Sequence, residues 1–120
     1  MIVIRADELK PFQTINGSEV VEIVGLRNIG IKEVSVAIAR VKGGSRTLKH
    51  RHDFLEIYYI AKGEGVMHIE EESRIVREGD FIVIPRGSAH YIENLRDDDL
   101  IIWCICSPAF TSDGTKLEEA

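Results

Sequence analysis

This chain of 120 residues has no long apolar run, only two cysteines, fewer basic than acidic residues and no interdomain linker. Its longest uncharged apolar stretch, near Ile101 to Cys106, falls far short of the roughly 20 residues that cross a bilayer as a helix, so no membrane span is expected. At the amino terminus the apolar residues Ile2 to Ile4 stop at Arg5, short of the apolar core of roughly 7–15 residues in a secretory signal. The expected compartment is therefore the cytosol. The two cysteines, Cys104 and Cys106, are two apart on an expected strand, so both thiols face one way at a separation that a normal disulfide does not bridge. They read as reduced core residues. A formal net charge of -5 argues against nucleic acid as a partner, because phosphate-backbone binders carry a basic surface. The acidic runs Glu70 to Glu72 and Asp97 to Asp99 read as solvated turns. No Pro/Gly/Ser linker, low-complexity tract or repeat divides the sequence, and the length suits one domain, residues 1–120, with a single core.

What the chain does have is frequent glycine, ten residues in all, separating segments rich in β-branched and aromatic side chains. These segments are 33–41, 56–61, 65–70, 74–77, 80–85, 89–93 and 100–106, each of strand length. In the first, Val34, Val36 and Ile38 oppose Glu33, Ser35 and Ala37, the period of a sheet with one face inward. Helical turns are expected only within Ala6 to Phe12 and Asn16 to Val21, and the tail after Pro108, ending in Lys116 to Ala120, reads as a short helix or a frayed end. An all-β chain of seven or more short strands without crossover helices closes into a barrel or double-sheet sandwich, which hides its edges. The barrel mouth is then the natural pocket.

Three of the four histidines fall inside two spaced motifs, Gly44-x5-His50-x-His52-x3-Glu56-x6-Gly63 and Gly79-x5-Pro85-x-Gly87-x2-His90-x3-Asn94. His50 and His52 are two apart and share a strand face, as two imidazoles on one ion require. Alone, that pair also fits exposed histidines on the basic stretch Arg46 to Arg51, with Glu56 an edge charge. The second motif favours the metal. Three imidazoles and a carboxylate suit divalent iron, manganese, nickel, cobalt or zinc and leave about two positions open on a six-coordinate ion. Glu56, Tyr58 and Ile60 share a face, so Tyr58 is the candidate catalytic donor beside the site, or else a core tyrosine with its hydroxyl satisfied. Tyr59 should face the other way. Pro85-Arg86-Gly87 is a turn that hands the chain into the strand at His90, and Asn94 is expected to hold a turn or strand end. His68 lies outside both motifs and is left out of the site. Arg40, Arg46 and Arg86 either anchor a substrate anion or are solvated surface.

With these two motifs complete, the chain resembles the cupin superfamily, and the resemblance covers Gly44 to Asn94. It implies a double-stranded β-helix, a small jelly-roll or conical barrel, and metal ligands at His50, His52, Glu56 and His90. One divalent transition metal (Fe, Mn, Zn or Ni) is the implied cofactor. The resemblance also implies a homodimer, often made by exchange of amino-terminal strands. It further implies a metal-dependent enzyme acting on a small polar molecule, with dioxygenase chemistry ahead of sugar-phosphate isomerase or decarboxylase chemistry. The alternative is a non-catalytic, metal-dependent small-molecule binding module.

Overall fold

β-Branched and aromatic segments become strands here wherever a glycine turn can end them, as at Gly63, whose φ of +96° few other residues adopt. The computed structural model describes residues 1–119. A short 3-10 turn at Ala6–Glu8 precedes the strands β1 (Phe12–Gln13), β2 (Glu19–Val24), β3 (Ser35–Val41), β4 (His50–His52), β5 (Leu55–Lys62) and β6 (Glu64–Ile69). They are followed by β7 (Glu72–Arg77), β8 (Phe81–Ile84), β9 (His90–Asn94), β10 (Leu100–Ser107) and β11 (Thr115–Leu117). No helix among the described residues is long and apolar enough to cross a membrane.

Two antiparallel sheets form the body, a six-stranded one in the order β1-β2-β3-β10-β5-β8 and a five-stranded one in the order β11-β4-β9-β6-β7. From β4 onward, apart from the β6–β7 hairpin within one sheet, the chain passes back and forth between them, the winding of a double-stranded β-helix. This topology closes the long sequence gap between the motifs, because β4 and β9 pair with His50 opposite His90. The core lies deeper along the same strands. Ile60 follows Glu56 and Tyr58 on β5, Ile92 follows His90 on β9, and Ile102 and Leu100 precede Cys104 and Cys106 on β10; all four aliphatic side chains are at most 1% exposed. At about 3.3 Å per residue, Ile60 stands about 13 Å from Glu56, so the barrel is packed at one end and hollow at the other.

Three local expectations are corrected. The helical turn expected within Ala6 to Phe12 is present at Ala6–Glu8, but Asn16 to Val21 is a turn leading into β2 and not a helical one. The tail is neither helix nor frayed over its described part: residues 115–117 pair with β4, and Glu118 and Glu119 form ion pairs with Arg51 and Arg46. Ala120 lies outside the described residues. On β3 the inward side chains are Ser35, Ala37, Ala39 and Val41, while Val36 and Ile38 take the outer face. The inner wall borders a cavity, and small side chains leave the room that valine and isoleucine would fill. Tyr59 does face outward, packed against Phe81 and Trp103 with ring centroids 4.6 and 5.3 Å away.

Candidate metal centre

The candidate ligands sit at or next to strand ends, at the hollow end of the barrel. His50 and His52 flank outward-leaning Arg51 on β4, Glu56 opens the inward row of β5, and His90 begins β9. The Pro85–Ser88 turn delivers His90: Gly87, at φ +80°, donates its N–H to the carbonyl of His52, so the second motif is fastened directly to the first. Asn94 ties off the other end of β9, donating to Val41 O and Asp98 O and accepting from Arg96 N. One ligand atom from each of His50, His52, Glu56 and His90 lies within 4.8 Å of the others, and all four residues are buried.

The direction of the imidazoles follows from their other nitrogens. His50 Nδ1 is 2.7 Å from Leu48 O and His90 Nδ1 is 2.9 Å from Ser88 O. A carbonyl only accepts, so each Nδ1 carries the proton and each Nε2 presents its lone pair inward. Those two Nε2 atoms and Glu56 Oε1 are buried without a hydrogen-bond partner. Unpaired polar atoms in the interior are costly, and three of them converging with lone pairs forward is what a bound cation would satisfy. Glu56 Oε1 is 3.1 Å from His52 Nε2 and 3.4 Å from His90 Nε2, so the residues present fit a divalent ion of imidazole and carboxylate preference.

The electrostatics point the same way. Burial, followed by repulsion from His90, lowers His50 from 6.5 to about 4, which leaves it a neutral ligand at neutral pH. Burial pushes the Glu56 carboxyl up, but His52 and His90 outweigh it and hold the group below the usual carboxylate range. Burial, and then the Glu56 charge, raise Tyr58, Cys104 and Cys106, so a phenol and two thiols remain protonated beside the site.

Tyr58 is buried, lines the cavity with Glu56, and has its ring 6.1 Å from that of His90. Of the residues set aside at the outset, His68 is bonded to Glu93 and Ser73 and stacked on Tyr91, outside the cavity. Arg40 pairs with Asp99 and Arg46 with Glu119, and neither these nor Arg86 lines the pocket. Two neighbours escape sequence reasoning. The Cys106 thiol donates to Glu56 Oε2 at 3.3 Å, and Thr115 Oγ1 is 2.8 Å from His52 Nδ1. Strand parity placed Cys106 on the inner face, but only the pairing of β10 with β5 puts it opposite Glu56. His52 is further flanked by Phe54, stacked at 4.5 Å, and Phe110, edge-on at 5.7 Å.

The cavity in front of these residues has a volume of about 60 Å³. A single water needs roughly 10–15 Å³ on this scale, so the space suits a ligand of a few heavy atoms. Its lining is largely apolar, with Phe12, Ile15, Ala37, Ala39, Ile102 and Phe110, and its polar members include Thr14, Asn16, Ser18 and Thr47. Among the described residues no lysine or arginine lines it, and its one further carboxylate, Glu22, is engaged by the N–H groups of Arg27 and Asn28.

Known proteins are similar to this chain in sequence and fold. The family model described as "Cupin domain" matches residues 37–106. An uncharacterized protein of Methanocaldococcus jannaschii is 40% identical over 116 residues, covering 94% of this chain and 91% of the relative. An oxalate-binding protein of Thermotoga maritima is 33% identical over 106 residues, covering 82% of this chain and 88% of the relative. Among solved structures, one from Thermotoga maritima described as a predicted oxalate decarboxylase superposes with a TM-score of 0.78 at 27% identity, covering 89% of this chain and 99% of that one. Motifs, winding and family match agree, and the chain belongs to the cupin family.

Proposed function

We propose that this cupin binds a small carboxylate of about the size of oxalate at one divalent transition metal held by His50, His52, Glu56 and His90. The observation that carries the reading is the convergence of three unpaired buried acceptor atoms at the head of a cavity with room for only a few heavy atoms. A metal bound there would supply a Lewis acid with open positions for a pair of ligand oxygens. Glu56 Oε2 is occupied by the Cys106 thiol, which leaves Oε1 as the oxygen directed at the centre. Among the described residues the wall contributes no lysine or arginine, so charge on the ligand has to be met at the metal, while the apolar residues around it exclude water. The relative named as an oxalate-binding protein, similar over most of both chains, supports this choice of ligand.

Turnover is the second reading, with dioxygenase chemistry ahead of isomerase or decarboxylase chemistry, and Tyr58 as the residue that would donate a proton or hydrogen bond to bound substrate. A protonated phenol beside the site favours it. The absence of a free carboxylate base among the described cavity residues favours binding alone. Titration calorimetry of oxalate into protein reconstituted with Mn(II), followed by aerobic incubation and product analysis, separates these outcomes. Heat without chemical change supports the binding module, loss of oxalate that falls with Tyr58→Phe supports an enzyme, and no saturable heat would remove the carboxylate proposal.

The protein works in this reading as one domain over residues 1–120 and as a homodimer, in the cytosol. The outer face of the six-stranded sheet supports pairing: Phe81, Val83 and Trp103 are 68%, 60% and 46% exposed, where an outer sheet face is normally polar. Light scattering should give twice the chain mass, reduced by Trp103→Glu. The two free thiols suit a reducing compartment.

A further inference from the structure

The three histidines of the centre are oriented by different means. His50 and His90 each donate Nδ1–H to a backbone carbonyl two residues earlier in the same segment, Leu48 and Ser88, so their orientation is written locally. His52 instead meets a side chain 63 residues away, the hydroxyl of Thr115 at 2.8 Å. That hydroxyl has one proton, and it is donated to Thr111 O at 2.9 Å. Toward His52 it can then only accept. His52 Nδ1 must carry the proton, and whenever the ring is neutral its Nε2 has the lone pair, 3.1 Å from Glu56 Oε1.

We infer that Thr115 is a positioning residue for the metal ligand His52, which makes the carboxy-terminal strand β11 a working part of the metal centre. This rests on the reading of the centre as a metal site and adds to it a residue outside both motifs. The strand is built to hold the hydroxyl still. Thr115 lies directly opposite His52 in the β4–β11 register, with Lys116 opposite Arg51 and Leu117 opposite His50. Beyond it, Glu118 pairs with Arg51, and Glu119 pairs with Arg46 and accepts from the backbone N–H of Lys49. Before it, the Gly114 N–H donates to Thr111 Oγ1 and the Gly114 carbonyl accepts from Asp53 N. A Cβ at Gly114 would come within 2.3 Å of Asp53 Oδ1, so the approach to Thr115 is closely fitted to the loop that follows His52. Apart from the contacts with the preceding loop at Thr111 and Ser112, the fastenings of β11 named here end on β4 or its flanks, the segment that carries two of the four ligands.

The chemistry follows from the choice of tautomer. With valine at position 115 the Nδ1–H of His52 loses its acceptor, and the ring gains by moving its proton to Nε2, toward Glu56 Oε1. An Nε2 that carries a proton cannot bind a metal until the proton is moved back. Loss of an outer partner of this kind typically weakens metal binding by about 10–100-fold. Serine keeps the hydroxyl and should keep the affinity.

The test uses the full chain as wild type, Thr115→Val and Thr115→Ser. Co(II) affinity is measured by competition with a chromophoric chelator, and the ring tautomer of His52 by long-range ¹H–¹⁵N correlation of metal-stripped, ¹⁵N-histidine-labelled protein. The expected result is a loss of at least tenfold in Co(II) affinity for Thr115→Val, near wild-type affinity for Thr115→Ser, and a His52 signal that changes tautomer only in the valine variant. An unchanged tautomer and affinity in Thr115→Val would overturn the inference, and so would equal weakening in both variants, which would assign the effect to the shape of the strand. The tautomer is read without metal, so a wild-type protein that took up no Co(II) would sink the metal reading and still leave the role of Thr115 decided.

Discussion

Acidifying the metal-stripped protein from pH 7 to pH 5 should destabilise it by about 2 kcal/mol through His50 alone. Burial, then repulsion from His90, brings this group from its ordinary 6.5 to about 4 in the fold. The unfolded chain takes up a proton at His50 as the pH falls through 6.5, and the folded chain does so only near 4. Stability therefore rises with pH across this window and is lost on acidification. At ~1.36 kcal/mol per pH unit of separation the whole effect is about 3 kcal/mol, of which about 2 kcal/mol has gone by pH 5. Glu56 does not confuse the window: its folded value is depressed, so its contribution is present above its ordinary 4.5 and is lost only below that. The assay is urea unfolding in excess chelator at pH 7, 6 and 5, comparing the natural chain with His50→Gln. The wild type should lose about 2 kcal/mol more than the variant between pH 7 and pH 5. Parallel curves would refute the claim that burial holds His50 neutral.

Three further outcomes follow from particular contacts. Glu56→Gln keeps the shape of the side chain and removes its charge, so Co(II) affinity measured by chelator competition should fall by more than the roughly 10–100-fold typical of losing an outer partner. Ile60, with 0% exposure beyond the site on β5, anchors the packed end; Ile60→Ala should cost about 2–5 kcal/mol in denaturant unfolding while the folded fraction still takes up metal. At Gly65 a Cβ would lie 2.4 Å from the carbonyl oxygen of Glu93 on the paired strand, a backbone atom that cannot swing away. Gly65→Ala should therefore force β6 and β9 apart and lower the thermal midpoint, with a penalty of at least the ~1–3 kcal/mol seen for overpacking.

How much of this was legible in the sequence depends on whether the information is local. The site was readable because its ligands sit at strand-parity spacings around turn residues, and the inward row Glu56, Tyr58 and Ile60 followed from alternation alone. The face that β3 turns inward was not readable. Both of its faces are compatible with burial, and the choice was made by the cavity, which accepts Ser35, Ala37 and Ala39 and leaves Val36 and Ile38 to the outer surface. Nor could the tail be read: its sequence suggests a short helix or a frayed end, and Thr115 becomes part of a strand only because the edge of β4 is there to pair with it. Cys106 likewise looked like a core thiol until the β5–β10 register set it against Glu56. Contacts between residues 50 and 63 positions apart leave no local period to find.

The central claim, that these four side chains hold a metal, is tested most directly by elemental mass spectrometry on protein purified without a polyhistidine tag, with His52→Ala prepared in parallel. The account predicts about one equivalent of a divalent transition metal in the natural chain, present on purification or after reconstitution, and its loss in the variant. A natural chain that carries no metal and takes none up, or a variant that retains as much as the natural chain, would contradict it.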